Sequence, residues 1–85
     1  MENYKIEFRA RVEKELRAIP RKDQLRILQR ISGLSSHPRP PGSKKLSGQE
    51  RYRLRQGDYR ILYEIHDGRL IIVIVKVGNR RDVYE

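Results

Sequence analysis

Arginine side chains alternate with apolar residues in the second half of the chain, and this spacing concentrates positive charge. Arg51, Arg53 and Arg55 alternate with Tyr52 and Leu54. Successive side chains of a β-strand point to opposite faces, so if the apolar pair faces a core, the three arginines share the other face. Arginine offers a planar fork of donors that binds phosphate in bidentate fashion and keeps its charge at physiological pH. The pattern therefore predicts an anion-binding face with phosphate as its ligand.

A second strand extends this face. Arg60 is out of phase with Tyr59 and Ile61, so we expect it to point the same way as the arginines of the preceding strand. Like charges opposed across strands cost a few tenths to about 1 kcal/mol, which favours an anion normally lying among them. The alternative is a solvated charged face with scattered ion pairs, such as one between Glu64 and Arg60.

The C-terminal segment adds polar groups to the same face. Gly78 allows the backbone to turn as the last strand ends, so Arg80 and Arg81 can swing back over the sheet. Tyr84 supplies a phenol that can donate, accept, or stack on a base. The alternative for Tyr84 is an amphipathic residue that covers an edge of the core.

These groups suit phosphodiester chemistry. Metal-independent cleavage of RNA needs a base for the attacking 2′-OH, an acid for the leaving 5′-oxygen, and cations for the transition state. Cations are in excess, but His37 and His66 fall in predicted turns and are expected to be exposed turn residues. Tyr84 is then the candidate base, its pKa lowered by surrounding arginines. Arginine is a poor proton donor, because its pKa exceeds about 12.

The bulk composition fits a polyanionic partner. Lys and Arg number 20 against 11 Asp and Glu, a formal charge of +9 at pH 7. That exceeds the roughly 2 to 8 units usual for solubility in small domains, and such a field attracts nucleic acid or an acidic protein. The 85 residues fit one domain, residues 1–85.

The same composition excludes several classes of protein. Cysteine is absent, which excludes a disulfide framework and a thiolate metal site. The N-terminus lacks the pattern of an export signal, and the longest apolar run, residues 70–75, is too short to span a bilayer. We therefore expect a soluble cytoplasmic protein with no metal, no cofactor and no membrane partner.

Hydrophobic periodicity predicts the elements of the first half. A strand is expected where apolar residues alternate, at Tyr4, Ile6 and Phe8. A helix is expected where they recur every three or four residues, at Phe8, Val12, Leu16 and Ile19. Pro20 should end that helix, and a second apolar face follows at Leu25, Ile27, Leu28, Ile31 and Leu34. The prolines and glycine of residues 35–43 predict a loop within the domain.

Three strands are expected after this loop. Gln56-Gly57 fits a tight turn between the first two, and Asp67-Gly68 predicts a hairpin between the second and third. Residues 70–77 are apolar on both alternations, as in a central strand covered on both faces. The predicted fold is α+β: an N-terminal strand, a helical hairpin and a three-stranded antiparallel meander, with the helices packed on one face of a four-stranded sheet.

Two motifs resemble the RelE branch of the RelE/ParE toxin superfamily of type II toxin–antitoxin systems. They are GDYRILYE at residues 57–64 and VGNRRDVY at residues 77–84, and the lead-in KKLSG at residues 44–48 matches too. The resemblance covers nearly the whole chain, and the motifs are specific when they occur together. The sequence departs from the family pattern at Arg53 and Arg55, where lysines are common, and at Asn79, where many relatives have histidine.

The resemblance implies an mRNA interferase, an endoribonuclease that enters the ribosomal A site, cuts the message there and is inhibited by an antitoxin wrapped around it. The implied catalytic residues are Arg53, Arg55, Arg60, Arg80 and Tyr84. Further expected contacts to RNA are Lys44, Lys45, Arg51 and Arg81. The implied partners are the cognate antitoxin and the ribosome with its message, through rRNA and mRNA phosphates, and DNA only indirectly through the antitoxin complex.

Two other functions stay open at this point. A ParE-like toxin would inhibit DNA gyrase by protein contact and cleave nothing, on the same fold. A catalytically inactive member would use its basic face only to dock an acidic antitoxin. Convergence of the arginines and Tyr84 on one sheet face favours RNA cleavage over gyrase inhibition, which would leave it unexplained, and the inactive member stays an open alternative.

Overall fold

The computed structural model describes residues 3–46, 48, 50–79 and 81, and two α-helices and five strands lie within them. Strand β1 spans Lys5–Phe8, and helices α1 and α2 span Ala10–Arg17 and Arg21–Gly33. The remaining strands are β2 Lys44–Lys45, β3 Arg51–Gln56, β4 Tyr59–His66 and β5 Ile71–Asn79. None of the helices in this described part has the length and apolar content needed to cross a membrane.

The strands form one mixed sheet in the order β1-β5-β4-β3-β2. Strands β3, β4 and β5 make the predicted antiparallel meander, and β1 adds in parallel beside β5. The prediction of four strands was short by one, because Lys44 and Lys45 pair antiparallel with Arg53 and Tyr52. A strand of two residues is too short to show an alternation in sequence, so the pattern could not reveal it.

Both helices pack on one face of the sheet, and the core lies between the two layers. The core comprises Val12, Ile19, Ile27, Ile31, Leu34, Tyr52, Leu54, Ile61, Tyr63, Ile65, Ile72, Ile74 and Val77. Within it the rings of Tyr52 and Tyr63 stack with their centroids 5.7 Å apart. Full burial of each large aliphatic side chain stabilises a fold by about 1.5–3 kcal/mol. The packing of these core residues therefore holds the helices against the sheet.

The first helix is shorter than its periodicity predicts. Phe8 belongs to β1 and is 46% exposed, so the expectation that it opens the helical stripe is wrong. The helix also ends at Arg17, before Pro20, which has a φ of −53° and stands directly ahead of α2. Proline fixes φ near this value and restricts the residue before it, so it favours the start of a helix and the end of the preceding one.

The turn between β3 and β4 lies one residue later than predicted. Gln56 pairs with Tyr59, so the two loop residues are Gly57 and Asp58. Gly57 has a φ of +60°, and the primed turns of two-residue hairpins require a positive φ at their first loop position. Glycine adopts this conformation without a steric penalty, which explains its presence here.

The turn between β4 and β5 differs from the predicted Asp-Gly hairpin. His66 pairs with Ile71, and the intervening residues contain a 3-10 turn at Asp67–Arg69. The left-handed residue is Leu70, with a φ of 52°. His66 is therefore the last residue of a strand, and its assignment to the turn is wrong.

Side chains from distant parts of the chain fix the proline-rich loop. Arg39 donates to Asp67 Oδ2 at 2.9 Å and, through its Nε, to the hydroxyl of Tyr52 at 3.0 Å. The hydroxyl of Tyr4 donates to Asp67 Oδ1 at 2.6 Å. This clamp ties the loop to β3 and to the turn after β4, and the chain then leaves the loop directly into β2.

Candidate nucleic-acid interface

The sheet face that points away from the helices carries the arginines. Tyr52 and Leu54 are buried against the helices, and the register of β3 and β4 pairs Arg53 with Leu62 and Arg55 with Arg60. Paired residues of neighbouring strands share a face, so the three arginines project together. Arg53, Arg55 and Arg60 are named here the arginine face, and the predicted sharing of one face is confirmed for them by the register.

The three guanidinium groups interact electrostatically. Desolvation lowers the pKa of Arg53, and the positive charges of Arg60 and Arg55 lower it further. Such an effect requires the charges to be close, since exposed charges separated by more than about 10 Å are screened. An anion placed among the three side chains would relieve their repulsion, so the arrangement suits binding of a phosphate.

The two lysines of β2 lie in different registers. Lys44 is opposite Arg53 and extends the arginine face to the edge of the sheet. Lys45 is opposite Tyr52, and its Nζ lies 3.4 Å from Glu50 Oε1. By register, Lys44 is the better placed of the two to contact an anion on the arginine face.

Arg51 lies on the same face but is engaged by Glu64. The two residues are paired across β3 and β4, and Arg51 donates to Glu64 Oε2 at 3.2 Å. Glu64 also contacts Arg9 at 3.5 Å and His66 Nε2 at 3.2 Å. Desolvation opposes ionisation of Glu64, but the hydrogen bonds from His66 and Arg51 outweigh it and hold its pKa below the ordinary value. The expected pairing of Glu64 with Arg60 is replaced by this cluster, since four residues separate them along β4, about 13 Å.

A small apolar cluster lies beside the arginine face and the Arg51–Glu64 pair. It consists of Leu46, Leu62 and Val75, which are 7%, 4% and 8% exposed. Leu62 pairs with Arg53, so the cluster lies on the side of the sheet that carries the arginines. Long cationic side chains commonly cover apolar surface with their stems while the charged ends stay in water.

Lys76 is a further cation of this face that the sequence patterns did not indicate. Leu62 pairs with Lys76 and Tyr63 with Ile74, so Val75 is an extra residue and β5 contains a bulge. Val75 and Lys76 consequently both lie on the side of the arginine face, whereas Ile74 belongs to the core. Strict alternation would have placed Lys76 in the core, and a lysine there is the one signal that could have indicated a bulge.

Part of the C-terminal prediction lies beyond the residues that can be described. Arg80 and Tyr84 fall outside the described residues, so their predicted roles stay predictions. Arg81 is exposed, and its backbone N–H donates to Asn79 Oδ1 at 3.0 Å.

Within the described part of the chain, no cluster of carboxylate and imidazole groups could hold a metal ion.

Known proteins resemble the chain along almost its whole length. The sequence matches the family described as ParE toxin of type II toxin–antitoxin system, parDE, over residues 6–84. Toxin RelG of Mycobacterium tuberculosis is 29% identical over 85 residues, which cover 95% of each protein. The solved archaeal RelE–RelB complex from Pyrococcus horikoshii OT3 contains a chain with a TM-score of 0.84 and 29% identity, covering 95% of this chain and 99% of that one. The RelBE2 toxin–antitoxin complex of M. tuberculosis contains another, with a TM-score of 0.81, 26% identity and coverage of 92% and 99%.

Proposed function

Because this chain belongs to the ParE toxin family of type II toxin–antitoxin systems, and is RelE-like in sequence and fold, we propose that it is a toxin that cleaves messenger RNA on the ribosome. The observation that carries the proposal is the arginine face. Three guanidinium groups share the side of the sheet that faces away from the helices, and the charges of Arg55 and Arg60 act on Arg53.

The chemistry of the proposed reaction matches the groups available. In metal-independent cleavage the 2′-oxygen attacks the adjacent phosphorus, and the transition state carries more negative charge than the substrate. Arg53 and Arg60 would stabilise that charge, with Arg55 beside them. Arg80 is proposed as a further phosphate ligand and Tyr84 as the base for the 2′-OH, both from their positions in the sequence motif.

An antitoxin is the proposed protein partner. The solved relatives come from toxin–antitoxin complexes, and a charge of +9 favours an acidic protein that covers the arginine face. The ribosome and its message are the proposed nucleic-acid partners, which would place the toxin in the cytoplasm. Contact with DNA is proposed only through the antitoxin complex.

The name of the matched family favours one other candidate. A ParE-like toxin would inhibit DNA gyrase by protein contact and would leave RNA intact. That function uses no phosphate site, so it gives no reason for the mutual repulsion within the arginine face. RNA cleavage accounts for the same observation directly and is therefore the preferred function.

Cells that express the toxin without its antitoxin would distinguish the two functions. Primer extension on a translated message should reveal new 5′ ends inside codons, and the same message with its start codon removed should stay intact because ribosomes no longer occupy it. Plasmid supercoiling should be unchanged. An intact message together with relaxed plasmid DNA would establish the gyrase function instead.

A further inference from the structure

Three cations surround Leu62 on the open side of the sheet. Arg53 is its cross-strand neighbour on β3, Lys76 is its neighbour on β5, and Arg60 precedes it by two residues on β4. Arg60 and Lys76 are thus diagonal neighbours, whose Cα atoms are typically roughly 7–8 Å apart. Side chains as long as these can meet at a single phosphate across that distance.

The bulge in β5 gives Lys76 this position. Strict alternation along β5 from Ile74 would point Lys76 towards the helices, where Ile74 and Val77 are buried, but the bulge places both Val75 and Lys76 on the open side. Bulges of this kind re-aim a side chain and are over-represented next to active sites. The residue opposite Arg60 is Gly78, which has no side chain of its own to pair with Arg60.

The environment of Lys76 leaves its amine available. Lys76 is half-buried, and it forms no ion pair with another residue of the described chain. Glu64, the nearest carboxylate along β4, is occupied by Arg51, Arg9 and His66. No carboxylate among the described residues, including Glu15 in the neighbouring cleft, forms an ion pair with this ammonium group, which is suited to an anionic ligand.

Proton transfer is the step that the arginine face does not supply. The leaving 5′-oxygen of RNA needs a proton, and a guanidinium, with a pKa above about 12, rarely gives one up. Lysine side chains in general titrate near pH 10, so an ammonium is the better acid of the two. Both positions where lysines are common in the resembled family carry arginine in this chain, at Arg53 and Arg55.

We propose that Lys76 is a catalytic residue of the RNA cleavage and donates the proton to the leaving 5′-oxygen. The inference rests on the proposed function. The 2′-oxygen forms its bond to phosphorus as the bond from phosphorus to the 5′-oxygen breaks. The 2′-OH proton goes to the base, for which Tyr84 is the candidate, and the proton on Lys76 Nζ goes to the 5′-oxygen. The products are a 2′,3′-cyclic phosphate and a 5′-hydroxyl.

The test uses purified toxin and ribosomes carrying a short message, with cleavage measured in a single turnover. Lys76→Met keeps most of the aliphatic stem and removes the amine, while Lys76→Arg keeps the charge but is a poor acid. Lys5→Met is the matched control, because Lys5 lies in register with Ile71 and His66 on the same side of the sheet. Five residues of β5 separate that register from Lys76, about 17 Å.

Both Lys76 variants should cleave about 10²–10⁴-fold more slowly than wild type, and Lys5→Met should cleave at the wild-type rate. A second message carries sulfur in place of the leaving 5′-oxygen. Because a thiolate leaves without being protonated, Lys76→Met should cleave that message within a few-fold of the wild-type rate. This recovery separates loss of an acid from loss of folding or of RNA binding.

Two results would overturn the assignment of Lys76 alone. Wild-type cleavage by Lys76→Arg would show that only the charge is needed, and equal defects on the oxygen and sulfur messages would show that Lys76 is not the acid. Failure of the wild-type toxin to cleave either message on ribosomes would instead overturn the proposed function, and the inference with it.

Discussion

Arg55 on β3 lies directly opposite Arg60 on β4. Like charges in this relationship typically destabilise a sheet by roughly 0.2–1 kcal/mol, and a bound phosphate would offset that cost. Replacing Arg55 with threonine, a good strand former, should raise the free energy of unfolding by up to about 1 kcal/mol. The same variant should cleave message more slowly, because a cation of the arginine face is lost.

Urea unfolding and a cleavage assay on the same preparation would measure both effects of Arg55→Thr. Arg26→Thr, on the exposed side of α2, is the control and should gain no stability. A variant at position 55 that is less stable than wild type, or that cleaves at the full rate, would contradict this account of the arginine pair.

Binding of RNA should depend steeply on salt. With a 2′-deoxy nucleotide at the cleavage site to prevent reaction, the logarithm of the binding constant should fall linearly with the logarithm of salt concentration, by about 0.7 for each phosphate neutralised on single-stranded RNA. Arg53→Gln and Arg60→Gln should each make the slope shallower by nearly that amount. Arg26→Gln should leave it unchanged, and identical slopes for all four proteins would place the RNA elsewhere on the surface.

The clamp on the proline-rich loop predicts a dependence of stability on acid. The hydrogen bond from Arg39, and then that from Tyr4, hold the pKa of Asp67 below its ordinary value. A lowered pKa in the folded state means that the contribution is present above the pKa of the unfolded chain and is lost as the pH falls through the folded value. Asp67→Asn should therefore be less stable than wild type at pH 7.

Thermal unfolding between pH 7 and pH 3 would test this. The difference between wild type and Asp67→Asn should shrink once the pH falls below about 4. Asp58→Asn, in the exposed β3–β4 turn, is the matched control and should track wild type. A constant difference across the whole range would mean that the charge of Asp67 contributes nothing to the clamp.

Tyr63 should limit stability at high pH. Its ring is fully buried, its hydroxyl donates to the carbonyl of Pro38 at 2.8 Å, and burial raises its pKa to about 12. Because the folded state holds this proton more tightly, the contribution of Tyr63 to the free energy of unfolding is complete below the unfolded pKa of about 10. It is lost as the pH rises towards 12.

Tyr63→Phe should lower the free energy of unfolding by about 1 kcal/mol at pH 8 through the lost hydrogen bond, and should flatten the decline of that free energy at alkaline pH. Urea unfolding at pH 8 and 10.5 measures both, and an unchanged alkaline decline would be inconsistent with this role.

The arginine face could be predicted from sequence because its cause is local. Tyr52 and Leu54 must be buried, and alternation then fixes the direction of Arg53 and Arg55 without any knowledge of their partners. The same alternation predicted that Arg60 points to this face. The turn signals between the strands predicted the order of the meander. Phe8 was assigned to both a strand and a helix because it fits both periodicities, and only the packed structure decides between them.

The remaining features depend on contacts between distant residues. The bulge that turns Lys76 outwards lies in a run whose other residues are apolar on both alternations, so its one signal in the sequence is the lysine itself. The pairing of Arg39 with Asp67 joins residues 28 positions apart and follows from how the loop packs, not from spacing. Roles for Arg80 and Tyr84 rest on the motif alone.

The proposed function requires the arginine face to cut a message held by the ribosome. Its most direct test is primer extension on a defined message in reconstituted ribosomes, comparing wild type, the double variant Arg53→Gln/Arg60→Gln and the control Arg26→Gln. Wild type and the control should generate a new 5′ end in the A-site codon only when ribosomes are present, and the double variant should generate none. Cleavage by the folded double variant at the wild-type rate would contradict the account.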